Sequence, residues 1–206
     1  MRNAISLTLM WLAAAPAAAA TLSKAVGPDP IAHLDECIQR RFLGTGAFGM
    51  GRVLPNRYHG VAQFQPEDAT EERVVTELAQ KGFQVTVFLA GRHVLDTPPV
   101  GMPVGRFGLQ GPAHITGTNS ATALPDPEVL LAEGRKAMQS LASKEDHSAG
   151  YEINKGSWTV ALRPLRASNE RCVMCHTVGF GTLVRDRGRN PKLGDALGVA
   201  MYIYRR

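Results

Sequence analysis

The stretch Gly150-Tyr151-Glu152-Ile153-Asn154-Lys155-Gly156-Ser157-Trp158-Thr159-Val160-Ala161-Leu162-Arg163-Pro164 decides the reading of the fold. Gly150 to Ile153 and Ser157 to Pro164 have the character of two strands folded about Asn154-Lys155-Gly156, a turn-forming triplet. In the second arm Trp158, Val160 and Leu162 alternate with Thr159, Ala161 and Arg163. Period-two alternation is the mark of a strand with one face turned to a core. Further out, Gln84 to Leu89 and Ala196 to Tyr204 also read as strands.

Helical spacing fills the rest. Residues 28–43 carry Ile31, Leu34, Ile38 and Phe42 as one stripe, with Pro28 and Pro30 at the start and Gly44 at the end. His33 and Cys37 are four apart and share a face beside that stripe. Glu67 to Gln80 reads as a helix ended by Gly82, with Val74, Val75 and Leu78 inward. Asp126-Pro127-Glu128 opens another helix that runs to Ser143, with Asp126 at the cap and Leu130, Leu131, Ala137, Met138 and Leu141 apolar. Residues 44–66 and 91–113 read as loops, rich in Gly and Pro. Strands and helices mixed in this order predict an α+β fold, with helices packed on an antiparallel sheet.

The second strand of the hairpin leads to Cys172-Val173-Met174-Cys175-His176. Cys-x-x-Cys-His is the attachment sequence for c-type haem. The two thiols add across the haem vinyl groups, and the adjacent histidine supplies the proximal iron ligand. The reading predicts one haem c held covalently by Cys172 and Cys175, with His176 on the iron. Two rivals share part of the pattern: a thiol–disulfide pair and half of a zinc site. The first is normally placed at the start of a helix in a βαβ unit, and no such pattern precedes Cys172. The second needs another ligand pair, and the sequence has none at that spacing.

The N-terminus agrees with haem attachment. Met1-Arg2-Asn3 is a positive n-region, Ala4 to Ala15 an apolar core, and Pro16 to Ala20 a small-residue cleavage region. Residues 1–20 thus read as a secretory signal peptide and 21–206 as one exported domain. The apolar run is short for a membrane span, and no cysteine at the cleavage point indicates a lipid anchor. The predicted location is periplasmic, without stable membrane insertion after cleavage.

Of 206 residues, 44% are hydrophobic and 20% charged, an ordinary globular balance. Net charge is +5, and loss of Arg2 with the signal lowers it to +4. Nucleic-acid binding is not indicated. The basic residues are spread out, except for Arg185, Arg187, Arg189 and Lys192 after the haem motif. That cluster reads as a solvated loop or as partners for the haem propionates. Three cysteines leave Cys37 alone once the motif has taken two. A lone thiol in an oxidising compartment is buried and inert, paired between chains, or bound to iron. Cys37 is the first choice for the second axial ligand, a thiolate that lowers the reduction potential. His33 follows, then Met102, Met201 and Met50. His59, His93, His114 and His147 read as surface or loop residues.

Three stretches, in order, carry a resemblance. They are Thr118 to Glu128, leading into an acidic helix; Trp158 to Cys172, containing Leu162-Arg163-Pro164-Leu165; and Leu193 to Met201 with Gly194-Asp195. Together they resemble the Tll0287-like haem domains over residues 115–204. Thr177 departs from the pattern, because a glycine often follows the haem histidine there. The resemblance implies a PAS-like antiparallel sheet with N-terminal helices folded against it and one covalent haem. It implies a redox or small-signal sensor, or an electron carrier, outside the cytoplasm. The partner is then a redox protein or a separate signalling protein, and a homodimer fits such domains. No Gly-x-Ser-x-Gly, phosphate-loop or His-Glu-x-x-His pattern is present, and no distal acid–base motif supports a haem enzyme.

Overall fold

The structure, a computed structural model, describes residues 23–24, 29–44, 50–53, 63–92, 95, 109–117, 124–142, 151–177 and 190–206. The proposed signal peptide lies outside them. In chain order the elements are β1 (Ser23–Lys24), α1 (Ala32–Leu43), α2 (Met50–Val53), α3 (Ala69–Gln80), β2 (Gln84–Gly91), β3 (Leu109–Thr116), α4 (Pro127–Ala142), β4 (Tyr151–Lys155), β5 (Trp158–Arg166), α5 (Glu170–His176) and β6 (Ala196–Arg205). The strands form one sheet in the order β1-β4-β5-β6-β2-β3. Every neighbouring pair is antiparallel. The chain is therefore α+β, as the alternation of patterns predicts.

The hairpin is tighter than its sequence suggests. Lys155 pairs with Trp158, so Asn154 and Lys155 belong to β4 and the turn is Gly156-Ser157 alone. Gly156 has φ +64, and among the described residues none other than glycine has positive φ. A positive φ confined to the first central position is the type II′ geometry, whose twist matches that of the flanking strands.

Strand β3 corrects the loop expected over residues 91–113. Pro112 argues against an internal strand, but β3 is the edge of the sheet, where a missing N–H costs no ladder bond. Gly111 is required there. Its φ is +138, and a Cβ at this position would stand 2.8 Å from the Phe88 ring. His114, expected at the surface or in a loop, sits half-buried on this strand with Nδ1 3.1 Å from Thr86 Oγ1. Burial lowers its pKa. Within the loop expected at 44–66, Met50–Val53 forms a helical turn and Phe64 donates its N–H to the His114 carbonyl at 2.8 Å.

Helix ends follow the local chemistry. Asp68 accepts the N–H groups of Thr70 and Glu71 at 2.8 and 2.9 Å, so α3 starts two residues later than Glu67. At its other end the Gly82 N–H reaches Ala79 and the Phe83 N–H reaches Leu78, the paired bonds of a Schellman cap, with Gly82 at φ +78. Asp126 caps α4 through the Glu128 N–H at 2.7 Å. Helix α1 begins at Ala32 because the Asp29 carboxylate accepts the Ile31 N–H at 3.0 Å and holds a turn before the helix.

Strand β6 is buried from Ala196 to Tyr204 because both faces of the sheet are covered. Val199, Met201 and Ile203 join Phe88, Trp158, Val160 and Leu162 beneath Leu130, Leu131, Met138 and Leu141 of α4. Ala200, Tyr202 and Tyr204 face the other way, among Val85, Val87, Leu34, Cys37, Ile38, Val74 and Leu78. The α4 side is mainly apolar, with one buried carboxylate, Glu133, held by Lys155 at 2.9 Å. The α1 side contains buried charge. Arg41 lies there with both its guanidinium edges used. Nε and Nη2 meet Glu71 at 2.9 and 2.5 Å, Nη1 donates to the Val53 carbonyl at 3.0 Å, and Nη2 donates to that of Gln65 at 2.7 Å. Nearby, the fully buried Tyr202 donates its hydroxyl to Asp35 at 2.7 Å, and Arg163 pairs with Asp29. Among the described residues, no helix is long and apolar enough to cross a membrane.

Candidate haem-attachment site

The motif occupies a short helix that sequence patterning did not assign. Asn169 is its cap, and its side-chain oxygen accepts the Cys172 N–H at 3.1 Å. Glu170 stands in the first turn, where a negative charge suits the helix dipole. Thr177 closes the other end by donating its hydroxyl to the Val173 carbonyl at 2.7 Å. The threonine that departs from the family pattern thus has a local use. Ser168-Asn169-Glu170 is a cap signal that the sequence carries in plain view.

Cys172 and His176 stand four residues apart on α5, so they share one face of the helix. Both are half-buried, and Met174 between them is exposed. Cys175 belongs to the same helix. The Cys172 sulfur lies 3.8 Å from Ser168 Oγ. The base of the helix is fastened to the segment that enters β6. Ala167 donates its N–H to the Asp195 carbonyl, and Gly194 donates to the Ala167 carbonyl, each at 2.9 Å. Arg166 Nη1 donates to the Gly194 carbonyl at 2.8 Å, and Asp195 accepts the Lys192 N–H at 2.9 Å. None of these anchors was singled out from the sequence; those of Arg166 and Ala167 bridge two segments about 28 residues apart.

Cys37 is placed elsewhere. Its thiol is 3% exposed in the core between α1 and the sheet, with Arg40 Nη2 3.9 Å away. Burial raises its pKa, which Arg40 opposes and Glu71 and Asp68 reinforce. The same Arg40 Nη2 lies 3.0 Å from Asp68 and 3.7 Å from Glu71, which places the thiol beside the first turn of α3. Gln39, about 200° further round the helix, donates to the Pro164 carbonyl of β5 at 3.0 Å. A thiol buried in this way is not presented to a second chain for a disulfide. His33 does not share its burial. The imidazole is about three-quarters exposed and pairs with Glu36 at 3.4 Å. Four residues advance a helix by about 40°, enough to carry a side chain from core to rim. Met201 is fully buried on the α4 side of β6. Met102, His59, His93, His147, Arg185, Arg187 and Arg189 lie outside the described residues, and so does the Met50 side chain.

The donor set fits a c-type haem. A thiol and an imidazole one turn apart on an accessible helix present the two functions that attachment needs, a nucleophilic sulfur and a neutral ring nitrogen. Among the described residues no group of three His, Cys, Asp or Glu side chains could hold a metal ion. The dithiol rival gains one feature, because Cys172 does lie in the first turn of a helix. It lacks the other, because the flanking strands β5 and β6 are antiparallel and the unit is not βαβ. Comparison with known protein families, with characterised proteins and with solved structures finds no match to this chain.

Proposed function

We propose that the chain is an exported mono-haem c-type cytochrome acting as a redox or small-signal sensor in the periplasm. Cys172 and Cys175 hold the haem and His176 is its proximal ligand. The observation that carries the reading is the pentapeptide Cys172-Val173-Met174-Cys175-His176 on one accessible helix at the end of a packed sheet. Haem c supplies a one-electron iron couple at the protein surface. The chain supplies the anchor, through Asn169 and the Ala167–Asp195 fastening, and a rigid platform, through β5 and β6. The antiparallel sheet with N-terminal helices on one face supports the PAS-like reading.

Cys37 is the proposed distal ligand. In the arrangement described it is a core thiol facing α3, so ligation requires α1 to turn or lift from the sheet. Such a movement is the kind of change that a sensor passes to a signalling partner. The second reading is a periplasmic electron carrier without conformational output. The burial of Cys37 favours it, since a thiol that stays in the core leaves α1 in place.

Optical spectra of the matured protein, oxidised and reduced, for wild type and Cys37→Ala, separate these readings. A ferric thiolate charge-transfer band lost in Cys37→Ala supports the sensor. Identical spectra move the ligand elsewhere and support the carrier. Wild-type protein without covalent haem, produced with active haem maturation, removes both.

A further inference from the structure

We infer that the Thr177 hydroxyl is a positioning group for His176: it closes the turn of the motif helix that carries the proximal histidine, and so fixes how the imidazole meets the iron. The inference rests on the cytochrome reading above and adds a residue outside the motif. Helix α5 has seven residues, about two turns. So short a helix does not hold itself in water, and its order comes from what its ends are bonded to. The end that carries Cys172 is held by Asn169, whose side chain and carbonyl both accept the Cys172 N–H at 3.1 Å. The end that carries Cys175 and His176 is closed by Thr177.

The last four carbonyls of a helix have no intrahelical donor, and here they belong to Val173, Met174, Cys175 and His176. Thr177 has left the helix, with φ −77 and ψ 143. Its N–H has moved from the Val173 carbonyl, the helical partner four residues back, to that of Met174 at 3.4 Å. Its hydroxyl takes over the Val173 carbonyl at 2.7 Å, the shorter of the two bonds. A ring thus runs from Val173 to Thr177 through the side chain, and Met174, Cys175 and His176 are its members. His176 turns about its backbone only if that ring opens. Groups that orient a ligand tune a metal centre along with the ligand itself, and a bonded turn does so through the backbone. Serine keeps the hydroxyl, valine keeps the shape without it, and glycine lacks both, so substitution separates the donor from the bulk.

The test takes matured wild type, Thr177→Val, Thr177→Ser and Thr177→Gly. Covalent haem per chain, the ferric EPR spectrum and amide hydrogen exchange over residues 171–177 are measured on each. The thiols are untouched and Thr177 belongs to neither core, so all four are expected to fold and to load haem. Thr177→Val and Thr177→Gly should show shifted and broadened g-values, because the imidazole takes more than one orientation, and exchange about tenfold faster. Thr177→Ser should match wild type in both. Unchanged g-values in loaded Thr177→Val overturn the inference and leave the cytochrome reading intact; with faster exchange they reduce Thr177 to a helix cap. A Thr177→Ser that departs as far as Thr177→Val also overturns it, since the hydroxyl is then not the cause. Wild type without covalent haem overturns the cytochrome reading and the inference together. If Thr177→Val does not fold, Thr177→Gly decides by the same measurements.

Discussion

The two faces of the sheet are built by different physics. Beneath α4, Leu130, Leu131, Met138 and Leu141 meet Phe88, Trp158, Val160 and Leu162, and stability there is mainly a matter of area and fit, with a single buried carboxylate, Glu133, paired with Lys155. Gly134 shows how close that fit is: a Cβ at this position would stand 2.5 Å from the Met201 methyl. Beneath α1 the same sheet meets buried charge. Arg41 and Glu71 are both almost fully enclosed, with side chains 4% and 2% exposed. Tyr202, Asp35, Arg163 and Asp29 add a second polar group on the same face. Apolar packing tolerates small shifts, whereas paired buried charges accept few geometries. The α1 face is therefore the more specific and the less forgiving. It is also the face that holds Cys37.

The largest effect should come from splitting the ion pair. Arg41→Ala leaves Glu71 buried and uncompensated, at a cost of about 3–5 kcal/mol by urea unfolding. The double variant Arg41→Met with Glu71→Leu should recover most of that loss. If Arg41→Ala alone costs less than about 1 kcal/mol, the contrast between the faces fails. On the apolar side, Leu130→Ala should cost about 3 kcal/mol by the same measurement, from lost transfer energy plus a cavity.

The third test uses pH. Burial is the leading influence on both Glu71 and Asp35, but it wins only at Asp35. The hydrogen bonds and charge of Arg41 and the Glu67 N–H hold Glu71 below its ordinary 4.5. Its share of stability is present above that value and is lost as pH falls through the folded pKa. Asp35 lies above its ordinary 3.8, because burial outweighs the bonds from Tyr202 and Gln39. Its share is full below 3.8 and is lost as pH rises toward the folded pKa. Unfolding curves of Glu71→Gln and Asp35→Asn, each subtracted from wild type across this range, should slope in opposite directions. Parallel slopes would refute the assignment. The smallest effect belongs to the motif helix: Asn169→Ala should lower stability by about 1 kcal/mol and leave both cores intact.

Much of this was legible in order of residues. Asp126-Pro127 and Gly82 mark helix ends by local chemistry, and Trp158-Thr159-Val160-Ala161-Leu162 marks a strand by period. The Cys172–His176 motif carries the haem proposal without any fold, because its spacing is a property of five consecutive residues. Strand β3 was not legible, since Pro112 is permitted only once a strand is known to be an edge. Nor was the burial of Arg41, whose partners at Val53, Gln65 and Glu71 come from three other segments. The side of α1 on which Cys37 lies follows from the docking of that helix on the sheet, and its stripe alone leaves a rotation of about 40° open. The sequence by itself determined most of the elements and their α+β class, and it carries the motif on which the haem proposal rests, because these depend on neighbours along the chain. Tertiary structure alone decided strand order, which charges are buried, and that Cys37 faces α3 while Arg166 stands at the foot of the motif. Those depend on contacts between residues far apart in sequence, which no local pattern encodes.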